Sequence, residues 1–198
     1  PGWPRKIGSV IGISISSGDF TAYYPIEHEG GGNMDRGAVI KYIRDICEDD
    51  SIEKVFHNAQ YDIGWLSVIE IEVRGRIHDT MVAMALIDEN RFSYTLNSIS
   101  FDYLGEYKNE SKLKEAALAF GVDPKSEMYK LPATFVGEYA EEDARLTLKL
   151  HEKLSWEIKK DNLETIYDIE CRLINVIFNM TKKGVRFDLD RCLTLNDK

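Results

Sequence analysis

The chain has 198 residues, 43% hydrophobic and 30% charged, a globular composition with room for one ordinary domain and a further segment. Its net charge of −9, from 25 Lys and Arg against 34 Asp and Glu, argues against a module that coats nucleic acid by neutralising phosphates. That balance still admits an enzyme that grips a strand end through bound cations, which bring their own positive charge.

Residues 9–16 (SVIGISIS) alternate apolar and small side chains, and residues 20–26 (FTAYYPI) are rich in aromatics. With Ser17-Gly18-Asp19 between them they predict a β-hairpin. Residues 27–33 (EHEGGGN) read as a loop, and Val39, Ile43 and Ile46 predict a helix over 35–47. A short strand at 55–57, a helix over 61–69, a second short strand ending at Ile77 and a helix over 81–87 follow. The rest reads as helical. Helices over 96–104 and 113–120 are closed by Gly105 and Gly121. A long helix after Pro132 covers about 137–160, with Ala140, Ala144 and Leu148 on its packing side. Another covers 163–183, with Ile166, Leu173, Ile177 and Met180 on one stripe and Gly184 at its end. This order predicts an α/β domain with a mixed sheet. Three or four strands are few for the length, so one is expected to be missing.

Cys47, Cys171 and Cys192 are far apart and lack CxxC spacing, which suggests reduced thiols and an intracellular, cytoplasmic setting. No apolar run is long enough to cross a bilayer.

Two stretches carry chemistry. In KVFHNAQYDIGWL (54–66), Asn58 and Asp62 straddle a strand-to-helix junction. Helix capping by Asn58 and a dipole-favoured acid at Asp62 are the ordinary explanations. In GEYAEEDARLTLKLHEKL (137–154), Tyr139 and Asp143 share one helix face, while Glu141, Glu142 and Arg145 suit a solvated side. A carboxylate at the edge of a buried face wants a cation or several donors.

In this order, HNAQYD and YAEED resemble two of the three motifs of the 3′-5′ exonucleases that use four acidic residues, in the tyrosine-bearing subclass. IHDTMVAMALID, YTLNSISFDYLG and DIECRLINVIFNMTKKGVRFDLDR are similar to segments of the proofreading domains of family A DNA polymerases. The resemblance implies an RNase H-like fold: an exonuclease domain over 1–160 and, over 161–198, a helix and turn leading toward a polymerase domain. It implies hydrolysis at a DNA 3′ end with two Mg²⁺ or Mn²⁺ ions about 3.5–4 Å apart, held by carboxylate oxygens. Asp143 would bind metal and Tyr139 orient the attacking water. Asp62 would support the second metal site, and Asn58 and Tyr61 would hold the strand end or the local loop.

The family's first motif, Asp-x-Glu on the opening strand, is absent before Asn58. Glu27-His28-Glu29 imitates it but reads as a solvated loop entry, and Glu48, Asp49 and Asp50 as an exposed helix end. Truncation is the expectation: residues 1–10 resemble the loop that follows that strand, and the chain would lack two of four metal carboxylates and be nearly inactive. A partner chain or residues 185–189 would then fill the sheet. The competing readings are a ribonuclease D-like RNA exonuclease and a non-catalytic module that binds single-stranded DNA or braces a polymerase. The trio Asp62, Tyr139 and Asp143 favours the enzyme.

Overall fold

The computed structural model describes residues 8–196. Trp3 and the rest of the expected loop over 1–7 lie outside the described residues. Strands β1 (Gly12–Ser17) and β2 (Phe20–Pro25) pair antiparallel from Gly12–Pro25 to Ser17–Phe20. Their two-residue turn places Gly18 at φ 56°, the left-handed conformation that tight hairpins demand. Helix α1 (Arg36–Cys47) is capped by Asp35, whose carboxylate accepts the Ala38 amide at 2.7 Å. It buries Val39, Ile43 and Cys47.

Two strand-to-helix units follow: β3 (Lys54–Phe56) into α2 (Ala59–Val68), and β4 (Ile77–Asp79) into α3 (Thr80–Ile87). The strands are parallel, with Lys54 opposite Ile77 and Phe56 opposite Asp79. Ile77 therefore begins its strand rather than ending it. The preceding apolar residues, Ile71 and Val73, are buried without joining the ladder.

Helices α4 (Leu96–Leu104) and α5 (Ser111–Phe120) end on left-handed Gly105 and Gly121, as their sequence predicts. Helix α6 (Ala133–Lys160) starts directly after Pro132, earlier than expected, because Ala133 and Val136 are already buried. Its packing face runs through Leu146, Leu150, Leu154 and Ile158; Ala140, Ala144 and Leu148 are only half-buried.

Helix α7 (Glu164–Lys183) inverts the expected orientation. Tyr167, Cys171 and Ile174 are buried, while Ile166, Leu173, Ile177 and Met180 are exposed. Both faces of this helix are rich in apolar residues, so periodicity alone could not choose between them. Residues 185–188 add no strand: Val185 and Phe187 are exposed, and helix α8 (Leu189–Asn196) follows. The Asp188 carboxylate accepts the Arg191 amide at 3.0 Å, a cap the sequence reading missed.

Among the described residues the strands form two two-stranded sheets, one antiparallel and one parallel, instead of a single mixed sheet. Helix α6 packs across the hairpin and β3 and spans both. The main core gathers α1, α2, α3, α6 and α7 around Ile43, Met84, Leu146 and Leu150. A smaller cluster, Leu113, Ala116, Ala117, Leu131 and Val136, lies under Tyr139.

The loop after β2 is tied to the start of α6. His28 is buried, with Nδ1–H donating to the Leu131 carbonyl at 2.9 Å and Nε2 accepting from Tyr23 Oη at 2.6 Å. A side chain at Gly30 would run into the backbone of Leu131 and Pro132, so glycine permits the close approach. Glu27 and Glu29 are exposed.

Candidate active site

The site is assembled where the two parallel units pass from strand to helix. Asn58 occupies the N-cap position of α2 in a left-handed conformation, φ 68° and ψ 59°, and its side chain makes no capping bond. Asn is among the few residues that tolerate this geometry. The capping comes from Asp79, at the matching junction of the next unit. Its Oδ1 accepts the Asn58 amide at 3.1 Å and the Met81 amide at 2.8 Å, and its Oδ2 accepts the Ala59 amide at 2.8 Å. Tyr167 of α7 braces the same residue, its hydroxyl accepting the Asp79 amide at 3.2 Å. One buried carboxylate thus fixes both helix starts and leaves the Asn58 amide group free of the cap.

Asp62 lies in the first turn of the helix so positioned, half-buried. Burial raises its carboxyl pKa to about 7, and the charges of Asp79 and Asp143 push the same way. Asp143 arrives from the middle of α6. Its pKa is raised by burial, with Lys108 pulling it back. Burial and like charge thus favour the neutral form of Asp62, whereas Asp143 has a cation beside it.

Tyr139, one turn earlier on α6, packs over the small cluster, and burial followed by the Asp143 charge raises its hydroxyl. Lys108, in the loop between α4 and α5, reaches both. Its Nζ lies 2.6 Å from Asp143 Oδ1, donates to Tyr139 Oη at 3.2 Å and sits 4.8 Å from the Tyr139 ring centre. Burial works against the Lys108 charge, yet Asp143 and Tyr139 hold its pKa above the ordinary lysine value. The Lys108 ammonium is the partner of the shielded Asp143 Oδ1, an ion pair at 2.6 Å.

Tyr139 and Asp143 are therefore joined through Lys108, and Asp62, in the first turn of α2, feels the Asp143 charge. Tyr61 is exposed, edge-on to Trp65 at 6.4 Å. Glu141, read as solvated, turns to the hairpin and accepts the Tyr23 amide at 3.1 Å. His57 donates or accepts at Thr80 Oγ1, 2.9 Å away, and is a packing residue.

Two residues escaped the sequence reading. Asp79 carried a local signal, an acid directly before a helix start. Lys108 carried none, because its partners are 31 and 35 positions away.

Asp62 and Asp143 are oxygen donors from separate elements, the donor type a hard divalent cation takes, and Asp143 Oδ1 is here ion-paired with Lys108. Among the described residues no group of three or more His, Cys, Asp or Glu could hold a metal. Also among them, no helix is long and apolar enough to cross a membrane.

An acid in the first turn after a parallel strand, and a second acid on a crossing helix with a tyrosine one turn before it, define an acidic site on an α/β scaffold. The family follows from comparison with known proteins. The model of the 3′-5′ exonuclease domain of DNA polymerase A matches residues 5–159, and the chain belongs to that family. The DNA-directed DNA polymerase of Pseudomonas phage M6 is 37% identical over 195 residues, covering 96% of this chain and 29% of that protein. The chain thus spans less than a third of that relative's length.

A solved structure described as the apo form of the nuclease superposes with a TM-score of 0.71 at 17% identity, over 94% of this chain and 83% of that one. Brucella melitensis NrnC with bound Mg²⁺ superposes with a TM-score of 0.61 at 16% identity, over 85% of this chain and 74% of that one. At these identities the likeness is one of fold: α/β, of the RNase H-like exonuclease kind.

Proposed function

We propose that the chain serves the removal of nucleotides from a single-stranded DNA 3′ end, proofreading for a family A DNA polymerase. The single observation that carries this reading is the convergence of Asp62 and Asp143 from different helices, close enough for Asp143 to hold up the Asp62 pKa. Two such carboxylates repel unless a cation lies between or beside them. A pair of Mg²⁺ or Mn²⁺ ions, when bound, would activate a water and neutralise the leaving oxygen.

Asp143 is the residue that would hold a metal ion, and Asp62 the one that would support the second through water. Tyr139 keeps its proton, because its hydroxyl titrates above the ordinary tyrosine value. It can therefore orient a water by hydrogen bonding. Asn58 and Tyr61 would hold the strand end, a role supported by an Asn58 amide free of the helix cap and an exposed Tyr61 ring.

Residues 1–160 form the exonuclease unit in this reading, and 161–198 lead toward a polymerase domain. Support comes from the phage relative, named as a DNA polymerase, and from the outer face of α7. There Ile166, Ile169, Leu173, Val176, Ile177 and Met180 are exposed, a patch that invites cover.

The test is trimming of a 3′-labelled single-stranded DNA in Mn²⁺ by the natural chain that carries these residues, beside its Asp143→Ala variant. Trimming lowered by about a hundredfold or more in the variant is expected, the scale at which lost charge stabilisation registers. Preference for RNA in the same assay would move the reading to a ribonuclease D-like enzyme. No trimming by the folded chain would leave a scaffold module.

A further inference from the structure

Lys108 contacts both Asp143 and Tyr139, and it does so from the loop between α4 and α5. Its side chain is 13% exposed, and three contacts hold it: the 2.6 Å approach to Asp143 Oδ1, the 3.2 Å hydrogen bond to Tyr139 Oη and the cation–π contact with the Tyr139 ring. The loop itself is anchored, since the Lys108 amide donates to Asn97 Oδ1 at 3.2 Å. A groove of about 560 Å³ opens beside it, lined by Asn97, Tyr107, Asn109, Ser111 and Lys114.

Resting on the exonuclease reading above, we propose that Lys108 is a built-in counter-ion of this site. It holds Asp143 and Tyr139 in register until a divalent cation takes Asp143, and it then swings into the adjoining groove. The reason is charge. A cation within ion-pair distance of a shielded carboxylate stabilises it in the absence of metal and repels any second cation seeking the same oxygen. A lysine on a flexible stem can leave, whereas a fixed donor could not. Lys108 is thus a positioning residue, acting through Asp143 and Tyr139.

The experiment is an Mn²⁺ titration of the chain at pH 8, following paramagnetic broadening of the amide resonances of Asp62, Tyr139 and Asp143. In Lys108→Met, half-broadening at Asp143 is expected at about tenfold lower Mn²⁺, the scale for removing one unit charge a few ångströms away in a partly screened site. Lys108→Arg, which keeps the charge, should restore the original midpoint. A measurement without substitution guards against misfolding: reductive ¹³C-methylation keeps the lysine charge, and the Lys108 methyl signal should shift as Mg²⁺ is added. Broadening centred on Asp143 with one midpoint in all variants, or a methyl signal indifferent to Mg²⁺ while Asp143 binds it, overturns the counter-ion role alone. Broadening that avoids Asp143 altogether overturns both this inference and the metal-site reading.

Discussion

Asp79 Oδ2 accepts the backbone amide of Ala59 at 2.8 Å, joining two strand-to-helix junctions that are 20 residues apart in sequence. The same carboxylate serves the amides of Asn58 and Met81. Replacing it by alanine strands three shielded donors, at about 1–3 kcal/mol each before relaxation. Asp79→Ala is therefore expected to lose about 3 kcal/mol or more in urea unfolding, with Asp79→Asn recovering part of it. Unchanged stability in Asp79→Ala would mean that the junctions are held by something else.

Asp62 makes the metal-free chain sensitive to pH. Its folded carboxyl is raised from 3.8 to about 7, so the folded state binds its proton more tightly than the unfolded state does. The stability this contributes is complete below about pH 4 and is lost as pH rises toward 7. Asp62→Asn should flatten that window and stabilise the metal-free protein at pH 8 by about 1–2 kcal/mol, discounted for partial solvent contact. Thermal melts of both forms between pH 4 and pH 8 measure it.

The left-handed Asn58 separates backbone from side chain. Alanine at φ 68° carries a steric penalty of about 1–2 kcal/mol, whereas glycine adopts the conformation freely. Asn58→Gly is expected to stay within about 1 kcal/mol of the parent in stability. It should nonetheless trim DNA more slowly if the amide holds the strand end. Equal trimming by Asn58→Gly would restrict Asn58 to a backbone role.

On α7, two neighbouring isoleucines should respond in opposite ways. Ile174 is 3% exposed and Ile177 is 42% exposed. Ile174→Ala is expected to cost about 2–4 kcal/mol through the cavity it leaves, and Ile177→Ala about 0.5 kcal/mol or less. Chemical denaturation of the two variants decides which face packs.

Local chemistry made most elements legible in the sequence. The glycine stops at Gly105 and Gly121, the Asp35 cap and the hairpin turn at Gly18 depend on residues within a few positions of one another, so they can be read in order along the chain. Asp62, Tyr139 and Asp143 were singled out by the resemblance of their two stretches to exonuclease motifs, because spacing alone offered only a capped helix start and an amphipathic helix face. The tertiary structure decided the rest. Which apolar stripe of α7 is buried depends on where α2 and α3 lie, and both stripes satisfy the same period. Capping of α2 came from Asp79 rather than from Asn58, because a carboxylate on the adjacent junction lies nearer the free amides than the local amide group does. Lys108 reached the Asp143 and Tyr139 pair only once two helices and a loop had packed, since charge acts through space and not along the chain.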